Sequence, residues 1–307
     1  MKTIKQRISY AVMGFMAMGF MAMGFTACTQ NEDMAPTLKG QEINATFSVG
    51  GMQTRVNTLG CGDSWENGDR LHVKIFTDNN PGNTHVLSYY DAKNEWLDFH
   101  RLFRWLDESD QHTILAVYPS VYDPENLTYE LPTDQSLSIR LMYADLINGY
   151  WHGSPYSDVT IPMKHRMSLV TVKYHVGTAD YPDSDITGLR ICSPCSGASF
   201  ELLEHNREWL MNTSNYQETK LVAAYKLVDG EEKSFSAIIV PGTIGTDTEF
   251  LKFSIGSKNF VSKLKSQTEF EEGKRYTYEL NVGKDNVELT RISIDDMAGW
   301  NNEEELK

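Results

Sequence analysis

The chain has 307 residues, a formal net charge of −14 and 40% hydrophobic residues. So acidic a chain lacks the basic patches that nucleic-acid binding requires, which excludes that class of partner. The hydrophobic content is that of a globular protein with a packed core, and the length is enough for two ordinary domains.

The first 27 residues predict a cleavable export signal. Lys2, Lys5 and Arg7 give a positive start, and an apolar run from Ile8 to Phe25 follows. The run ends on Phe-Thr-Ala-Cys28, which resembles the bacterial lipobox of one apolar residue, two small residues and a cysteine. A transmembrane helix is the alternative interpretation. Three glycines in the run and a cysteine at its end favour the signal.

Cys28 is therefore the predicted lipidation site. Its thiol is the sulfur nucleophile that a thioether to diacylglycerol requires, and acyl chains such as palmitate anchor a protein by ~0.8 kcal/mol per buried methylene. Residues 28–40 then form an acidic tether, and Thr29–Asp33 resembles the signal that sends some Gram-negative lipoproteins to the outer face of the outer membrane. Removing residues 1–27 leaves a charge of −17, because three positive charges and no acids are lost.

Three further cysteines remain, Cys61, Cys192 and Cys195, and an odd number excludes a complete disulfide framework. The C-x-x-C spacing of Cys192 and Cys195 fits a redox pair or half a zinc site. No second C-x-x-C or H-x-x-x-H completes a zinc set. The pair follows a predicted strand, so we interpret it as part of a turn and leave open whether the two thiols are oxidised.

Short apolar runs rich in Val, Ile, Thr, Tyr and Phe predict strands throughout the chain after the signal. In the first half they are Asn44–Val49, Leu71–Phe76, His112–Tyr118, Leu127–Leu131 and Met167–Val176. In the second half they are Leu189–Cys192, Leu221–Val228, Phe235–Val240, Phe250–Ile255, Tyr276–Val282 and Val287–Ile294.

Some finer features accompany these runs. His112–Tyr118 is apolar on both faces, which predicts a fully buried strand. Ile255–Phe260 predicts a hairpin turn, and the apolar phase of the last strand slips between Leu289 and Ile292, which indicates a bulge. Trp96–Glu108 fits either a helix or a twisted hairpin.

The fold class is therefore all-β, because many short strands at regular spacing are typical of antiparallel sandwiches. The polar stretch Gly177–Asp185 is the best candidate for a domain boundary. It predicts an N-terminal domain at residues 41–178 and a C-terminal domain at residues 179–307.

Several local motifs behind the lipobox together resemble the fimbrillin-like family of Gram-negative pilus subunits, which form type V pili. The resemblance covers nearly the whole mature chain. The motifs are, in order, Thr54-Arg55, Trp65-Glu-Asn-Gly-Asp69, Ala116-Val-Tyr-Pro119, Pro162–Val172, Phe270–Tyr278 and Ile294–Trp300.

The resemblance implies two tandem transthyretin-like β-sandwich domains and assembly with other pilus subunits by strand exchange. A protease removes the first strand, and a strand of the neighbouring subunit fills the groove, since an unpaired sheet edge is a template for another chain. Arg55 is the position it assigns to processing, with an ordinary loop arginine as the alternative. Val287–Trp300 is then either a core strand or the donor strand. Stalk, anchor and tip roles, and any host or glycan ligand, stay open.

An enzyme finds little support, and no catalytic residue, metal or cofactor is predicted. The nucleophile-elbow, Walker, dinucleotide and H-E-x-x-H motifs do not occur in the sequence. His165 is interpreted as a satisfied core or turn residue, and the acid pairs Asp107/Glu108 and Asp295/Asp296 as solvated loop residues. Asp63–Asp69 lacks the frame of a calcium loop.

The main competing hypothesis is a surface glycan-binding lipoprotein of a polysaccharide-uptake system, which shares the lipobox, the tether and the sandwiches. Exposed aromatic rings stack on sugars, and Tyr150, Trp151 and Tyr156 are the ligand-facing candidates because they lie among predicted loop residues. Trp96, Trp105 and Trp209 are further aromatic candidates. A coplanar exposed platform would support this hypothesis, and burial of the rings would remove its support.

Overall fold

The computed structural model describes residues 37–49, 65, 67–90, 92–93, 95–108, 110–175, 185–203, 208–229, 232–283 and 287–297. Short strands dominate these residues. Those of the first half, with one short helix, are β1 (Ala45–Val49), β2 (Arg70–Thr77), β3 (Asn80–Tyr90), β4 (Glu95–Asp98), β5 (His112–Tyr118), β6 (Thr128–Glu130), α1 (Ser138–Ala144), β7 (Ile147–Gly153), β8 (Val159–His165) and β9 (Ser168–His175).

The second half adds strands only, in the part of it that the structure describes. They are β10 (Ile186–Ser193), β11 (Gly197–Leu203), β12 (Glu208–Asn212), β13 (Lys220–Ala223), β14 (Tyr225–Asp229), β15 (Glu232–Ile239), β16 (Gly242–Ile244), β17 (Glu249–Ile255), β18 (Lys258–Lys263), β19 (Thr268–Phe270), β20 (Lys274–Val282) and β21 (Val287–Asp296).

The largest sheet has seven strands in the order β1-β8-β7-β5-β2-β3-β4. Its central strand β5 is buried along its whole length, as its doubly apolar sequence predicts. Ile114, Ala116 and Tyr118 face one hydrophobic core, whereas Leu115 and Val117 face another. The period of two along a strand thus lets β5 separate two cores.

The second, larger core lies among the remaining sheets. A five-stranded sheet has the order β14-β15-β9-β20-β21, and a four-stranded sheet the order β13-β10-β17-β18. A three-stranded sheet, β12-β11-β6, and a two-stranded sheet, β16-β19, complete the set. Within the five-stranded sheet β9 and β20 run parallel, and every other pair is antiparallel.

The all-β fold class is confirmed, and most of the predicted strands are present. The hairpin is confirmed by the pairing of Ile255 with Lys258 across a turn in which Gly256 has a φ of 55°. The bulge is also confirmed, because Thr277 pairs with Ser293 and Tyr278 with Arg291, which leaves Ile292 as the extra residue.

The prediction of one strand over Leu221–Val228 is wrong. Two strands occupy this run, since β13 pairs with β10 and β14 pairs with β15 in a different sheet. Ala224 lies between them and donates its backbone N–H to the Leu189 carbonyl at 3.0 Å. No glycine, proline or polar turn residue occurs at Ala224, so the sequence carries no signal for the break.

The predicted domain boundary falls on residues 176–184, which lie outside the described residues. The strand before it, β9, is hydrogen-bonded on both sides to strands that follow it, β15 and β20. Contacts place the described residues from Thr37 onward in one compact unit. The division into residues 41–178 and 179–307 therefore stays a prediction.

Candidate functional site

The first strand occupies one edge of the seven-stranded sheet. β1 pairs with β8 in parallel from Ala45 opposite Val159 to Val49 opposite Met163. Ala45, Phe47 and Val49 point into the smaller core, and Phe47 is only 1% exposed. A strand of five residues therefore fills an apolar groove and pairs, among the described strands, with β8.

The receiving strand, β8, was not predicted from the sequence. Its burial alternates strictly, with Val159, Ile161 and Met163 in the core and the intervening residues exposed. That period of two is visible in the sequence, but Pro162 within the run argues against a strand. β7 then packs closely on β8, since a Cβ on Gly149 would lie 2.7 Å from the Met163 Sδ.

An aromatic cluster caps the side of β1 that faces away from β8. The indole N–H of Trp65 donates to the Phe47 carbonyl at 2.9 Å. Trp96 packs edge-on against both rings, with centroid distances of 5.3 Å to Phe47 and 4.9 Å to Trp65. The sequence does not predict that Trp65 contacts Phe47, because the two residues lie on opposite sides of the segment 50–64.

The chain entering β1 is held as well. Ile43 donates its N–H to the Phe103 carbonyl at 3.0 Å, and Trp105 donates to the Gln41 carbonyl at 3.1 Å. The Arg104 guanidinium donates to the Gly40 carbonyl at 2.7 Å. Residues 40–43 therefore pair with the segment that follows β4, and release of β1 requires these bonds to break too.

A buried hydrogen bond between a histidine and a carboxylate supports the opposite edge of the sheet. The His85 ring nitrogen Nδ1 lies 3.1 Å from Asp98 Oδ2. Burial lowers the pKa of His85, although the neighbouring carboxylate opposes the shift. Burial opposes ionisation of Asp98, but hydrogen bonds from the N–H groups of His100 and Leu102 outweigh it and lower the pKa of Asp98. A neutral His85 thus donates to an ionised Asp98.

The predicted site residues lie in different places. Cys28 and Arg55 lie outside the described residues. Tyr150 and Trp151 are not loop residues, because both belong to β7, where they contact the larger and the smaller core respectively. Tyr156, in the following turn, is 72% exposed.

No coplanar platform forms among the candidate rings. Neighbouring residues of a strand point to opposite faces, so Tyr150 and Trp151 cannot share one surface. Trp105 and Trp209 are buried, and Trp96 is half-buried in the cluster around β1. The glycan-binding hypothesis therefore loses the observation on which it depended.

The cysteine pair and His165, the other residues singled out in the sequence, are buried in the fold. Cys192 and Cys195 are free, buried thiols at the turn between β10 and β11, and burial raises the pKa of both. His165 ends β8 with its Nδ1 2.6 Å from the buried Asp145 carboxylate. Among the described residues, no group of His, Cys, Asp and Glu is arranged to hold a metal ion, and no helix is long and apolar enough to cross a membrane.

The comparison with known proteins begins with solved structures of similar fold. A Bacteroides ovatus protein proposed to act in cell adhesion is 13% identical, with a TM-score of 0.59, and the match covers 83% of this chain and 97% of that one. A Bacteroides uniformis protein with the same proposed role is 15% identical, with a TM-score of 0.57 and coverage of 84% and 98%. These identities show the fold alone.

The sequence was also compared with curated proteins and with models of protein families. No curated protein sequence matches the chain. The family model described as fimbrillin-like, however, matches residues 54–296, which is most of the chain and includes all of β2 to β21. The protein therefore belongs to the fimbrillin-like family.

Proposed function

We propose that this protein is a structural or adhesive subunit of a cell-surface fimbria, and not a catalyst. Membership of the fimbrillin-like family supports the role, as do the all-β relatives assigned to cell adhesion. The observation that carries the proposal is β1, a short strand at the edge of its sheet that pairs with β8 among the described strands and fills the smaller core through Ala45, Phe47 and Val49.

The geometry of β1 suits exchange of one strand for another. Its removal would free the hydrogen-bonding edge of β8 and open the apolar groove that Phe47 fills. Main-chain hydrogen bonds are independent of sequence, and pockets for alternate side chains provide register and specificity. A neighbouring subunit that offers an apolar side chain at every second position restores both contributions. We assign the joint between subunits to this groove.

The strand that fills the groove comes from the neighbouring subunit, and a strand at the edge of a sheet has the fewest contacts to break when it is released. β21 pairs with β20 alone within the five-stranded sheet, and its Ile292 and Ile294 are each about half exposed. Because few of its side chains are buried, its release exposes less apolar surface to water than the release of a central strand would. We therefore assign the donor role to β21 of the neighbouring subunit.

Export and processing complete the proposal. A lipid on Cys28 would hold the new subunit in the outer membrane through the tether of residues 28–40. Cleavage after Arg55 would then separate both the lipid and β1 from the rest of the chain in one step. The two folded parts of the subunit are the proposed transthyretin-like sandwiches at residues 41–178 and 179–307.

Surface-extracted protein from the native host tests the proposal. Mass spectrometry should find chains that begin at Val56 in assembled material, and unboiled gels should show a ladder of multimers. Arg55→Gln should abolish both, whereas Arg70→Gln at the start of β2 should change neither. A strictly monomeric protein after cleavage at Arg55, or assembled chains that all begin at Cys28, would contradict the strand-exchange scheme.

A further inference from the structure

A cavity of about 610 Å³ lies between the seven-stranded sheet and the β11–β12 hairpin, well within the size range of ligand sites. We name it the β11 cavity. It shares no residue with β1 or β8, so a function assigned to it goes beyond strand exchange. Its apolar walls are formed by Phe76, Leu115, Leu127, Phe200, Leu202 and Trp209.

The charged side chains among the described residues that line the β11 cavity are both acidic. They are Glu125 and Glu201, and no lysine or arginine occurs among the described residues that line the cavity. Glu125 is balanced by Lys74, whose Nζ lies 3.1 Å from its carboxylate. The Glu201 carboxylate is exposed and forms no ion pair or hydrogen bond with any described residue. The cavity therefore combines apolar walls with one unbalanced carboxylate, which favours a ligand that is apolar and cationic.

Main-chain hydrogen-bonding groups are available beside the same cavity. β6 pairs with β11 only at Gly197–Ser199, and the Phe200 N–H is bonded to the Leu127 carbonyl at 2.9 Å. From Glu201 to Leu203, β11 has β12 on one side and no described strand on the other. An extended peptide can pair with such an edge, whereas a sugar cannot.

Trp209 contributes a buried hydrogen-bond donor to the wall of the cavity. It is 6% exposed, and its indole N–H has no acceptor among the described residues. Buried donors are nearly always paired in folded proteins, so an orphan donor in the wall of a cavity requires an explanation. A small turn of the indole toward the cavity would present the N–H to a peptide carbonyl.

We propose that the β11 cavity binds a short extended segment of a partner polypeptide in which a lysine or arginine neighbours an apolar residue. The apolar side chain and the aliphatic stem of the basic residue contact the walls, and the cation lies by Glu201 and the aromatic rings. The peptide backbone pairs with the free edge of β11, and one of its carbonyls accepts from Trp209.

Fluorescence polarisation with synthetic peptides tests this proposal on the full chain. Three peptides share one apolar sequence and differ only in carrying arginine, glutamine or glutamate at a single position. The arginine peptide should bind most tightly, the glutamine peptide about fivefold more weakly, and the glutamate peptide weakest. Equal affinity for the arginine and glutamine peptides would overturn the proposal.

Variants of the protein test whether the peptides bind at the β11 cavity. Glu201→Gln should weaken the arginine peptide about fivefold and reduce its salt dependence, while Glu201→Lys should favour the glutamate peptide. Trp209→Phe should weaken all three peptides equally, and the matched control Glu269→Gln on β19 should change nothing. Binding that survives Glu201→Gln unchanged, or a cavity that takes neutral oligosaccharides and no peptide, would refute the assignment.

Discussion

The indole of Trp65 donates a 2.9 Å hydrogen bond to the backbone carbonyl of Phe47, across a sequence separation of 18 residues. The two residues lie on opposite sides of the segment 50–64, which contains Arg55. This bond therefore ties the first strand to the body of the fold independently of the intervening chain. Any event that releases β1 must break it.

Trp65→Phe tests the strength of this tie. The variant keeps an aromatic ring in the cluster with Trp96 but removes the donor, which leaves the buried Phe47 carbonyl without its indole partner. We expect the free energy of unfolding to fall by about 1–3 kcal/mol more than in Trp209→Phe. Trp209 is a suitable control because it is similarly buried and has no acceptor. Urea denaturation measures both, and equal losses would contradict the prediction.

Phe47→Ala tests how much the smaller core depends on β1. The side chain is 1% exposed and packs on Trp96, so its loss leaves a cavity in the smaller core. We expect a loss of about 3–5 kcal/mol in unfolding free energy and faster amide exchange at Ala45–Val49. Thr46→Ala, on the opposite face of β1, is the control. A loss below about 1 kcal/mol would show that β1 contributes little to the core.

Gly149→Ala tests the close approach of β7 to β8. A Cβ at this position would lie 2.7 Å from the Pro162 carbonyl oxygen and 2.8 Å from Ile161 Cγ2, so backbone must move to admit it. We expect destabilisation of about 1–3 kcal/mol in thermal or urea unfolding. Gly245→Ala is the matched control, because its nearest neighbour is the Thr248 hydroxyl at 3.7 Å. Similar stabilities for the two variants would disprove the tight contact.

The buried His85 predicts a dependence of stability on pH. Its folded pKa lies below the ordinary value of 6.5, so the fold favours the neutral ring. Its contribution is therefore complete above pH 6.5 and is lost as the pH falls through the lower folded pKa. His112, whose pKa burial also lowers, adds a loss of the same sign.

His85→Gln should accordingly flatten part of the decline in stability below pH 6.5. The urea midpoint, measured at several pH values on both sides of that point, reports the slope. His175→Gln replaces an exposed histidine and serves as the control. A slope in His85→Gln as steep as that of the parent protein would show that other groups carry the dependence. Asp98, whose pKa is lowered, would lose its contribution only in a more acidic range.

Local sequence patterns predicted the elements whose environment is uniform along the strand. β5 has the bounds that its apolar run predicts, because burial on both faces leaves a continuous signal. The bulge at Ile292 was visible because a slip in the period of two has no other cause within a paired strand. Neither a helix nor a hairpin forms within Trp96–Glu108, because only its first three residues are strand, in β4, which pairs with β3, and residues 99–108 are turn and irregular structure.

The candidate site was harder to predict because its contacts are distant in sequence. β1 and β8 are joined by parallel pairing, which requires no turn signal between them and leaves no local trace. The sequence predicts loop residues where β7 lies, because Gly149 and Gly153 interrupt its apolar run, and Pro162 obscures the alternating pattern of β8. The β11 cavity is formed by residues from two sheets and the loop before β6, so only the assembled fold reveals it.

The covalent link between β1 and the rest of the chain determines how long the first strand stays paired with β8. While the chain is intact, β1 is tethered and its local concentration beside the groove is high. One hydrolysed bond within residues 50–64 would turn the same strand into a separate ligand, with a dissociation rate and a dissociation constant of its own. From then on, occupancy of the groove would depend on competition, and a neighbouring strand with the better fit and the higher effective concentration would replace it.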